Sequence, residues 1–157
     1  MISTGTEELK KIFEEYKNII TIYGEAGTGK TTLCLLAAIE QASNNKKVLF
    51  LDTEKNFSLE RVWQLLTNND KDCVKNILVL KLNNFNLQHT QIKNLENIKN
   101  VSLIVIDSIT NHYRRLYGRE PELAKGMLGK QLSVLNKISK NNVPVMITSQ
   151  VYSDLKD

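Results

Sequence analysis

The chain has 157 residues, of which 41% are hydrophobic and 24% are charged, so its length and composition are those of one globular domain. No apolar run is long enough to cross a bilayer, and the polar N-terminus does not resemble a secretion signal, so we expect a cytoplasmic protein without a membrane partner. The formal net charge of +4 permits binding to a polyanion without identifying one, and the two cysteines are too isolated to indicate a disulfide framework or a zinc site.

Apolar runs alternate with helical patterns along the whole chain. In order, the sequence predicts a helix at 6–16, a strand at 18–23, a helix to about 43, a strand at 48–52 and a helix from Ser58 to about 67. It then predicts a strand at 77–80, a helix at 87–99, a strand at 101–107, a polar loop at 109–119, a helix from Pro121 to about 140 and a strand at 143–148. Strands separated by helices require crossover connections, so we expect an α/β fold with a mostly parallel sheet and helices on both faces.

The segment after the first strand fits the P-loop pattern of a glycine, four residues and then Gly-Lys-Thr. Strand, glycine-rich loop and helix form the context in which this pattern binds a nucleoside triphosphate. Its glycines allow the backbone to approach phosphate closely, and the following helix presents its positive end to the anion. We expect Lys30 to reach the β- and γ-phosphates, Thr31 to ligate Mg²⁺ and Thr32 to lie near the α-phosphate. The predicted nucleotide-binding residues are Gly24, Glu25, Ala26, Gly27, Thr28, Gly29, Lys30, Thr31 and Thr32.

Three polar residues end or follow other predicted strands, at the carboxyl ends where ligands collect in open α/β sheets. Asp107 ends an apolar run in the Walker B pattern and is expected to hold the shell of the Mg²⁺ ion. Glu54 is placed to polarise the water that attacks the γ-phosphate, although its position alone fits a solvated loop acid equally well. Gln150 is placed to contact the γ-phosphate, although its position alone favours a surface polar residue.

Further short motifs accompany these residues. They are Ser3-Thr4-Gly5-Thr6 with Leu9, Asp52-Thr53-Glu54 with Phe57, Glu60 and Arg61, Asp107-Ser108-Ile109-Thr110 with His112-Tyr113-Arg114, Gln131-Leu132, Val143-Pro144-Val145, and Gln150-Val151-Tyr152 with Asp154. The combination resembles the RecA family of recombinase ATPases, and within it the archaeal RadB branch. The resemblance covers essentially the whole chain and implies one RecA-type P-loop core at 18–157, with a lead-in segment at 1–17.

The resemblance implies ATP and Mg²⁺ as ligands and assigns roles to individual residues. Glu54 falls on the family's catalytic glutamate, and Lys30 and Gln150 complete the catalytic set, with Gln150 coupling the nucleotide state to a DNA-binding loop. Arg61 falls where an arginine stacks on the adenine. The first DNA-facing loop of the family corresponds to a segment whose arginines would contact phosphate, although a solvated charged loop would look the same. These arginines are Arg114, Arg115 and Arg119.

A RadB-like protein is expected to act in DNA repair and homologous recombination, to bind single-stranded or branched DNA, to hydrolyse ATP weakly and to perform little or no strand exchange. A recombinase or a junction nuclease is the expected protein partner, and self-association is open. No helix-hairpin-helix domain and no Phe-x-x-Ala segment precede the core, which argues against recombinase-type filaments. The sequence also ends before the family's second loop and later strands, so we expect a C-terminally truncated core whose first strand is an aggregation-prone edge.

Two other functions remain open on the sequence. One is a RecA-like switch ATPase that acts on proteins and shows no dependence on DNA. The other is a non-catalytic adaptor in which ATP only stabilises a fold that binds a recombinase or a nuclease. A Glu54→Gln variant separates these functions, because an unchanged rate of phosphate release would leave only the adaptor.

Overall fold

The computed structural model describes residues 19–66 and 71–152, together with Glu7 and Lys11. The rest of the predicted lead-in segment and Asp154 lie outside the described residues. The strands are β1 (Ile19–Gly24), β2 (Val48–Asp52), β3 (Ile77–Lys81), β4 (Leu103–Asp107) and β5 (Val145–Gln150). The helices are α1 (Lys30–Ser43), α2 (Leu59–Leu65), α3 (Phe85–Asn94), α4 (Asn111–Tyr117) and α5 (Pro121–Lys140), with 3₁₀ turns at Lys71–Asn76 and Leu95–Asn97.

The five strands form one sheet in the order β1-β5-β4-β2-β3, and every pair is parallel. Successive residues of a strand point to opposite faces, so the apolar run of β2 serves two cores. Phe50 lies in the core beneath α1 and α2, whereas Leu49 and Leu51 lie in the core beneath α3 and α5. The predicted α/β fold with a parallel sheet and helices on both faces is confirmed. Among the described residues, β1 and β3 are the two edge strands.

Helix α1 begins immediately after the P-loop, so its N-terminus points at that loop. Gly29 caps it in the left-handed region, with φ +85°. Residues of small or moderate size, spaced for one helical face, let α1 pack closely on the sheet. The buried residues of α1 are Cys34, Leu35, Ala37, Ala38, Ile39 and Ala42. This packing fixes the direction of the helix and therefore the position of the loop.

Two segments that carry predicted site residues differ from the sequence prediction. The predicted loop at 109–119 contains α4, which is held by the contact between the tilted rings of Tyr113 and Tyr117 and by the buried His112. Aromatic residues four positions apart share one helical face, which the arginines between them obscure in the sequence. Strand β5 extends to Gln150, so this residue ends the strand instead of following it.

Helix α5 is the longest described helix and packs lengthwise on the sheet. Val134, Leu135 and Ile138 enter the core, while Lys137 forms an ion pair with Glu96 at its outer side. Pro121 occupies the first turn, where a missing amide hydrogen costs nothing. None of the helices in the described ranges combines the length and the apolar character that a membrane crossing requires.

Candidate functional site

The carboxyl ends of all five strands lie at one edge of the sheet, because every strand is parallel. Strand register places Asp52 beside Asp107 and Gly24 beside Gln150 at this edge. A cavity of about 410 Å³, called here the P-loop cavity, opens there. It is lined by Ala26, Gly27, Thr28, Gly29, Lys30, Thr31, Thr32, Glu54, Asn56, Asp107 and Gln150. The structure thus brings together predicted site residues from four segments that are far apart in sequence.

Three of the predicted nucleotide-binding residues do not line the P-loop cavity. Gly24 and Glu25 lie at its base, where their backbone carbonyls accept hydrogen bonds from Lys30 Nζ. Arg61 lies on α2, where its guanidinium donates to Gln64 Oε1 at 3.2 Å. In this conformation Arg61 therefore lies outside the lining of the P-loop cavity.

The P-loop backbone depends on glycine at defined positions. Gly27 and Gly29 have φ values of +77° and +85°, which side chains rarely tolerate. A Cβ at Gly24 would lie 3.0 Å from Thr28 Oγ1, so the start of the loop is also tightly closed. The Lys30 ammonium folds back over the loop, 2.9 Å from the Gly24 carbonyl oxygen. A phosphate entering the cavity would offer this ammonium a negatively charged acceptor in place of neutral carbonyls.

The Asp107 carboxylate is held between two hydroxyl groups. Thr31 Oγ1 donates to its Oδ2 at 2.6 Å, and Thr148 Oγ1 donates to its Oδ1 at 2.5 Å. Burial raises the pKa of Asp107, the nearby Glu54 and Asp52 charges raise it further, and the two hydroxyl donors act in the opposite direction. The paired hydroxyl and carboxylate oxygens are hard ligands of the kind that Mg²⁺ prefers.

Few other groups near Asp107 could complete a cation site. Within the described parts of the chain, no three His, Cys, Asp or Glu side chains are grouped to hold a metal ion. Mg²⁺ bound by one or two protein oxygens typically takes its remaining ligands from water and substrate phosphates. The Thr31–Asp107 pair therefore fits a cation that arrives with a nucleotide.

Both carboxylate oxygens of Glu54 accept hydrogen bonds. Ser108 Oγ donates to Oε1 at 2.6 Å, and Asn56 Nδ2 donates to Oε2 at 3.1 Å. These contacts fix a half-buried carboxylate at the wall of the P-loop cavity. Sequence reasoning did not select Asn56, Ser108 or Thr148 as site residues. The available signal was their polarity next to the predicted strand ends.

A reciprocal contact ties the ends of β2 and β4 together below this carboxylate. Thr53 Oγ1 donates to the Ser108 carbonyl oxygen and accepts from the Ser108 amide, both at 2.8 Å. Asp52 in turn accepts hydrogen bonds from the amides of Asn56 and Phe57, each at 3.1 Å. The turn that carries Glu54 is thus fixed by backbone groups as well as by side chains.

The three predicted DNA-binding arginines lie on or just after α4, in different environments. Arg114 donates to the carbonyl oxygen of Gln150, and its guanidinium lies 4.0 Å from the centre of the Tyr152 ring. Arg115 is exposed and lines a cavity of about 350 Å³, the middle cavity, together with Glu54 and Gln150. Arg114 therefore connects α4 to the end of β5, whereas Arg115 faces open space.

A third cavity of about 250 Å³, the arginine cavity, lies between α4 and the start of α3. It is lined by Asn83, Asn84, Phe85, Asn86, His112, Arg115, Leu116 and Arg119. The described residues of this lining include two guanidinium groups and no carboxylate. Its electrostatic character is therefore suited to an anion.

Comparison with known proteins gives a consistent result. The sequence model of the Rad51 family matches residues 1–157. The chain is 38% identical over 149 residues to the DNA repair and recombination protein RadB of Methanococcus maripaludis strain C7, covering 92% of this chain and 69% of that protein. It is 42% identical over 142 residues to the RadB of Methanocaldococcus jannaschii, covering 86% of this chain and 66% of that protein.

A solved structure shows the same similarity. The crystal structure of the RadB recombinase is matched with a TM-score of 0.73 and 32% sequence identity, covering 89% of this chain and 64% of that chain. The chain thus spans about two thirds of the length of the relatives that it matches. On the family match, the sequence identities and the shared fold, the chain belongs to the Rad51 family of RecA-type proteins and, within it, to the RadB group.

Proposed function

We propose that this chain binds ATP with Mg²⁺ at the P-loop cavity and uses that binding in DNA repair and recombination. The observation that carries the proposal is the convergence of the P-loop, the Thr31–Asp107 pair and Glu54 on one cavity. The relatives named RadB support the biological role, since they are DNA repair and recombination proteins.

Nucleotide binding would use the loop amides, Lys30 and the N-terminus of α1. Lys30 would exchange its carbonyl contacts for phosphate oxygens, and Thr31 and Asp107 would hold the cation. A bound Mg²⁺ ion supplies charge neutralisation on the β- and γ-phosphates. The residues themselves would bind and orient the triphosphate.

Hydrolysis is proposed to be slow and to depend on Glu54. Its carboxylate is placed to orient a water molecule towards the γ-phosphate, and Gln150 lines the same cavity. However, the hydroxyl of Ser108 and the amide of Asn56 both donate to this carboxylate. A water molecule must share the carboxylate with these two donors or displace one of them, which supports weak rather than rapid hydrolysis.

DNA contact is proposed for the exposed arginines beyond Walker B. Arg115 and Arg119 line the arginine cavity, which contains no carboxylate in its described lining. Phosphate contacts of this kind give affinity without sequence preference and weaken with salt. A single strand laid over α4 would therefore lie next to the nucleotide site, because the middle cavity joins Arg115 to Glu54 and Gln150.

The first test is binding of a fluorescent ATP analogue with Mg²⁺, with and without single-stranded DNA, in the wild type and in Lys30→Ala. Each charge-assisted contact contributes roughly 1.5–3 kcal/mol, so we expect the variant to bind at least about ten-fold more weakly. The matched control is Lys46→Ala, an exposed lysine outside the P-loop cavity, which should bind like the wild type. Equal affinities in wild type and Lys30→Ala would contradict the proposal.

The engagement of both Glu54 oxygens also favours a second candidate, an adaptor that binds ATP without hydrolysing it. Phosphate release from wild type and Glu54→Gln separates the two functions. A fall in the rate supports hydrolysis by Glu54. The same rate in both proteins, with nucleotide binding retained, supports the adaptor.

A further inference from the structure

Thr148 is a fully buried polar residue in an otherwise apolar part of β5. It follows Val145, Met146 and Ile147, all of which are buried in the two cores. A buried hydroxyl costs free energy unless it is hydrogen-bonded, and a valine would fill the same shape without that cost. The hydroxyl of Thr148 donates to Asp107 Oδ1 at 2.5 Å. Its presence in the strand is therefore explained by Asp107 rather than by packing.

We propose that Thr148 is a positioning residue that fixes the Asp107 carboxylate in the orientation required to bind the Mg²⁺ ion of a nucleotide. The inference rests on the proposed function, and it assigns a role to a residue that lies outside the P-loop cavity lining. The two carboxylate oxygens have different tasks. Oδ1 is held by Thr148, and Oδ2 faces Thr31, the other proposed cation ligand.

Of the two hydrogen bonds to Asp107, the one from Thr148 should persist when a nucleotide enters the site, whereas the one from Thr31 should not. Thr31 lies in the P-loop, whose lysine and backbone must rearrange around a phosphate, so its hydrogen bond to Asp107 changes when the site fills. Thr148 lies within the sheet, where β5 pairs with β1 and β4 on its two sides. The carbonyl oxygen of Thr148 also accepts from the Ile109 amide at 3.0 Å. Both backbone and side chain thus hold the segment that contains Asp107.

A β-branched side chain in a strand has few rotamers, so the Thr148 hydroxyl is held in one direction. Without it, the buried carboxylate would lose one of its two hydroxyl donors and could rotate away from Thr31. Hydrogen bonds to ligating carboxylates commonly change metal affinity by about 10–100-fold. Loss of the hydroxyl is therefore expected to weaken the binding of the cation and to leave the affinity for the nucleotide itself unchanged.

The test is a Mg²⁺ titration of fluorescent ATP analogue binding in the wild type and in Thr148→Val, which removes the hydroxyl and keeps the shape. We expect the half-saturating Mg²⁺ concentration to rise by about ten-fold, while nucleotide affinity measured in EDTA stays unchanged. Thr148→Ser should restore the wild-type titration, because it returns the donor. Thr148→Ala is the second hydroxyl deletion, to be used if the valine variant does not fold.

The matched control is Ser139→Ala, which removes a buried hydroxyl that donates to the Asn136 carbonyl oxygen in α5. It should lower thermal stability without altering the Mg²⁺ titration. A wild-type titration in Thr148→Val overturns the inference and leaves the proposed function intact. An equal loss of affinity with and without Mg²⁺ also overturns it, because a merely structural role would act in that way. A wild type that binds nucleotide without any dependence on Mg²⁺ overturns both the inference and the Mg²⁺ part of the proposed function.

Discussion

At the carboxyl edge of the sheet, buried and half-buried acids accept hydrogen bonds from neutral groups. Asp107 accepts from threonine hydroxyls, Glu54 from a serine hydroxyl and an asparagine amide, and Asp52 from backbone amides. Neutral donors satisfy the oxygen lone pairs without adding positive charge. The edge therefore keeps carboxylates that suit the proposed cation, while Lys30 would supply the positive group for a phosphate.

The charge of Asp107 also affects the thiol of Cys34. It is buried in α1, and burial together with the charge of Asp107 raises the pKa of its thiol. We expect native Cys34 to resist iodoacetamide at pH 9, because the thiolate is the reactive form. The raised pKa also means that the free energy of unfolding is unaffected at low pH and falls as pH rises above the ordinary thiol range, since only the unfolded chain then ionises.

Mass spectrometry of alkylated peptides checks the reactivity of Cys34, with urea-unfolded protein as the fully labelled control. Urea unfolding at neutral and alkaline pH checks the stability effect, which should be smaller in Cys34→Ala. Rapid labelling of Cys34 in the folded protein would contradict the expectation.

At the scale of elements, the ends of β2 and β4 act as one unit. Their parallel register places Asp52 next to Asp107, and the Thr53–Ser108 contact continues this pairing beyond the strands. Asn111, at the start of α4, adds a hydrogen bond to the Thr53 carbonyl oxygen at 2.7 Å. The turn after β2 and the helix after β4 are therefore fixed relative to each other.

A Thr53→Val variant tests this unit. It keeps the shape of the side chain but leaves the buried Ser108 amide and carbonyl without their hydroxyl partner. An unsatisfied buried group costs about 1–3 kcal/mol, so we expect the free energy of unfolding to fall by about 2 kcal/mol. Urea denaturation provides the measurement. Thr53→Ser keeps the hydroxyl and should lose about 1 kcal/mol or less; equal losses in the two variants would argue against the role of the hydroxyl.

At the scale of the whole molecule, the three cavities lie next to one another and share lining residues. The P-loop and middle cavities share Glu54, Asn56 and Gln150. The middle and arginine cavities share Asn83, His112 and Arg115. Arg114 lies on α4 and donates to the backbone of Gln150, a residue that lines both the P-loop and middle cavities. The proposed nucleotide and DNA sites are thus adjacent surfaces, and Arg114 provides a direct hydrogen bond between α4 and the end of β5.

Arg114→Ala should uncouple these two sites. We expect Mg²⁺–nucleotide to change the affinity of the wild type for single-stranded DNA by a factor of about 5 or more, and DNA to change nucleotide affinity by the same factor. In Arg114→Ala this factor should approach 1, because the contact between α4 and Gln150 is lost. Fluorescence anisotropy of a labelled oligonucleotide, with and without the ATP analogue, provides the measurement.

Arg115→Ala is the matched control for the coupling experiment. It removes an exposed cation but keeps the contact between Arg114 and Gln150. DNA binding should therefore weaken, and the slope of log affinity against log salt concentration should become smaller by about 1, while the coupling factor stays unchanged. Wild-type coupling in Arg114→Ala would show that this arginine is not the connection.

Several features were predictable from local pattern. Strand β2 was predicted with its observed bounds because a continuous apolar run, here four residues followed by Asp52, is typical of a parallel strand that is buried on both faces. The P-loop was predictable because glycine positions report backbone geometry directly. Helix α4 was not, because two of its stabilising contacts are with Leu82 and Phe85, which lie about 30 residues away in sequence. The start of α3 was placed two residues late, at 87 instead of Phe85, because the local capping signal of Asn84, which accepts from the Leu87 amide, was missed.

The sequence alone determined the order of strands and helices, the P-loop and the acids at the strand ends, because these follow from short-range periodicity and residue chemistry. The tertiary structure decided which groups meet at those ends. Thr148 reaches Asp107 and Ser108 reaches Glu54 only because the sheet order places β4 between β5 and β2. Hydrogen-bond partners are set by distances of a few ångströms between strands that are remote in sequence, and periodicity within one segment carries no information about those distances.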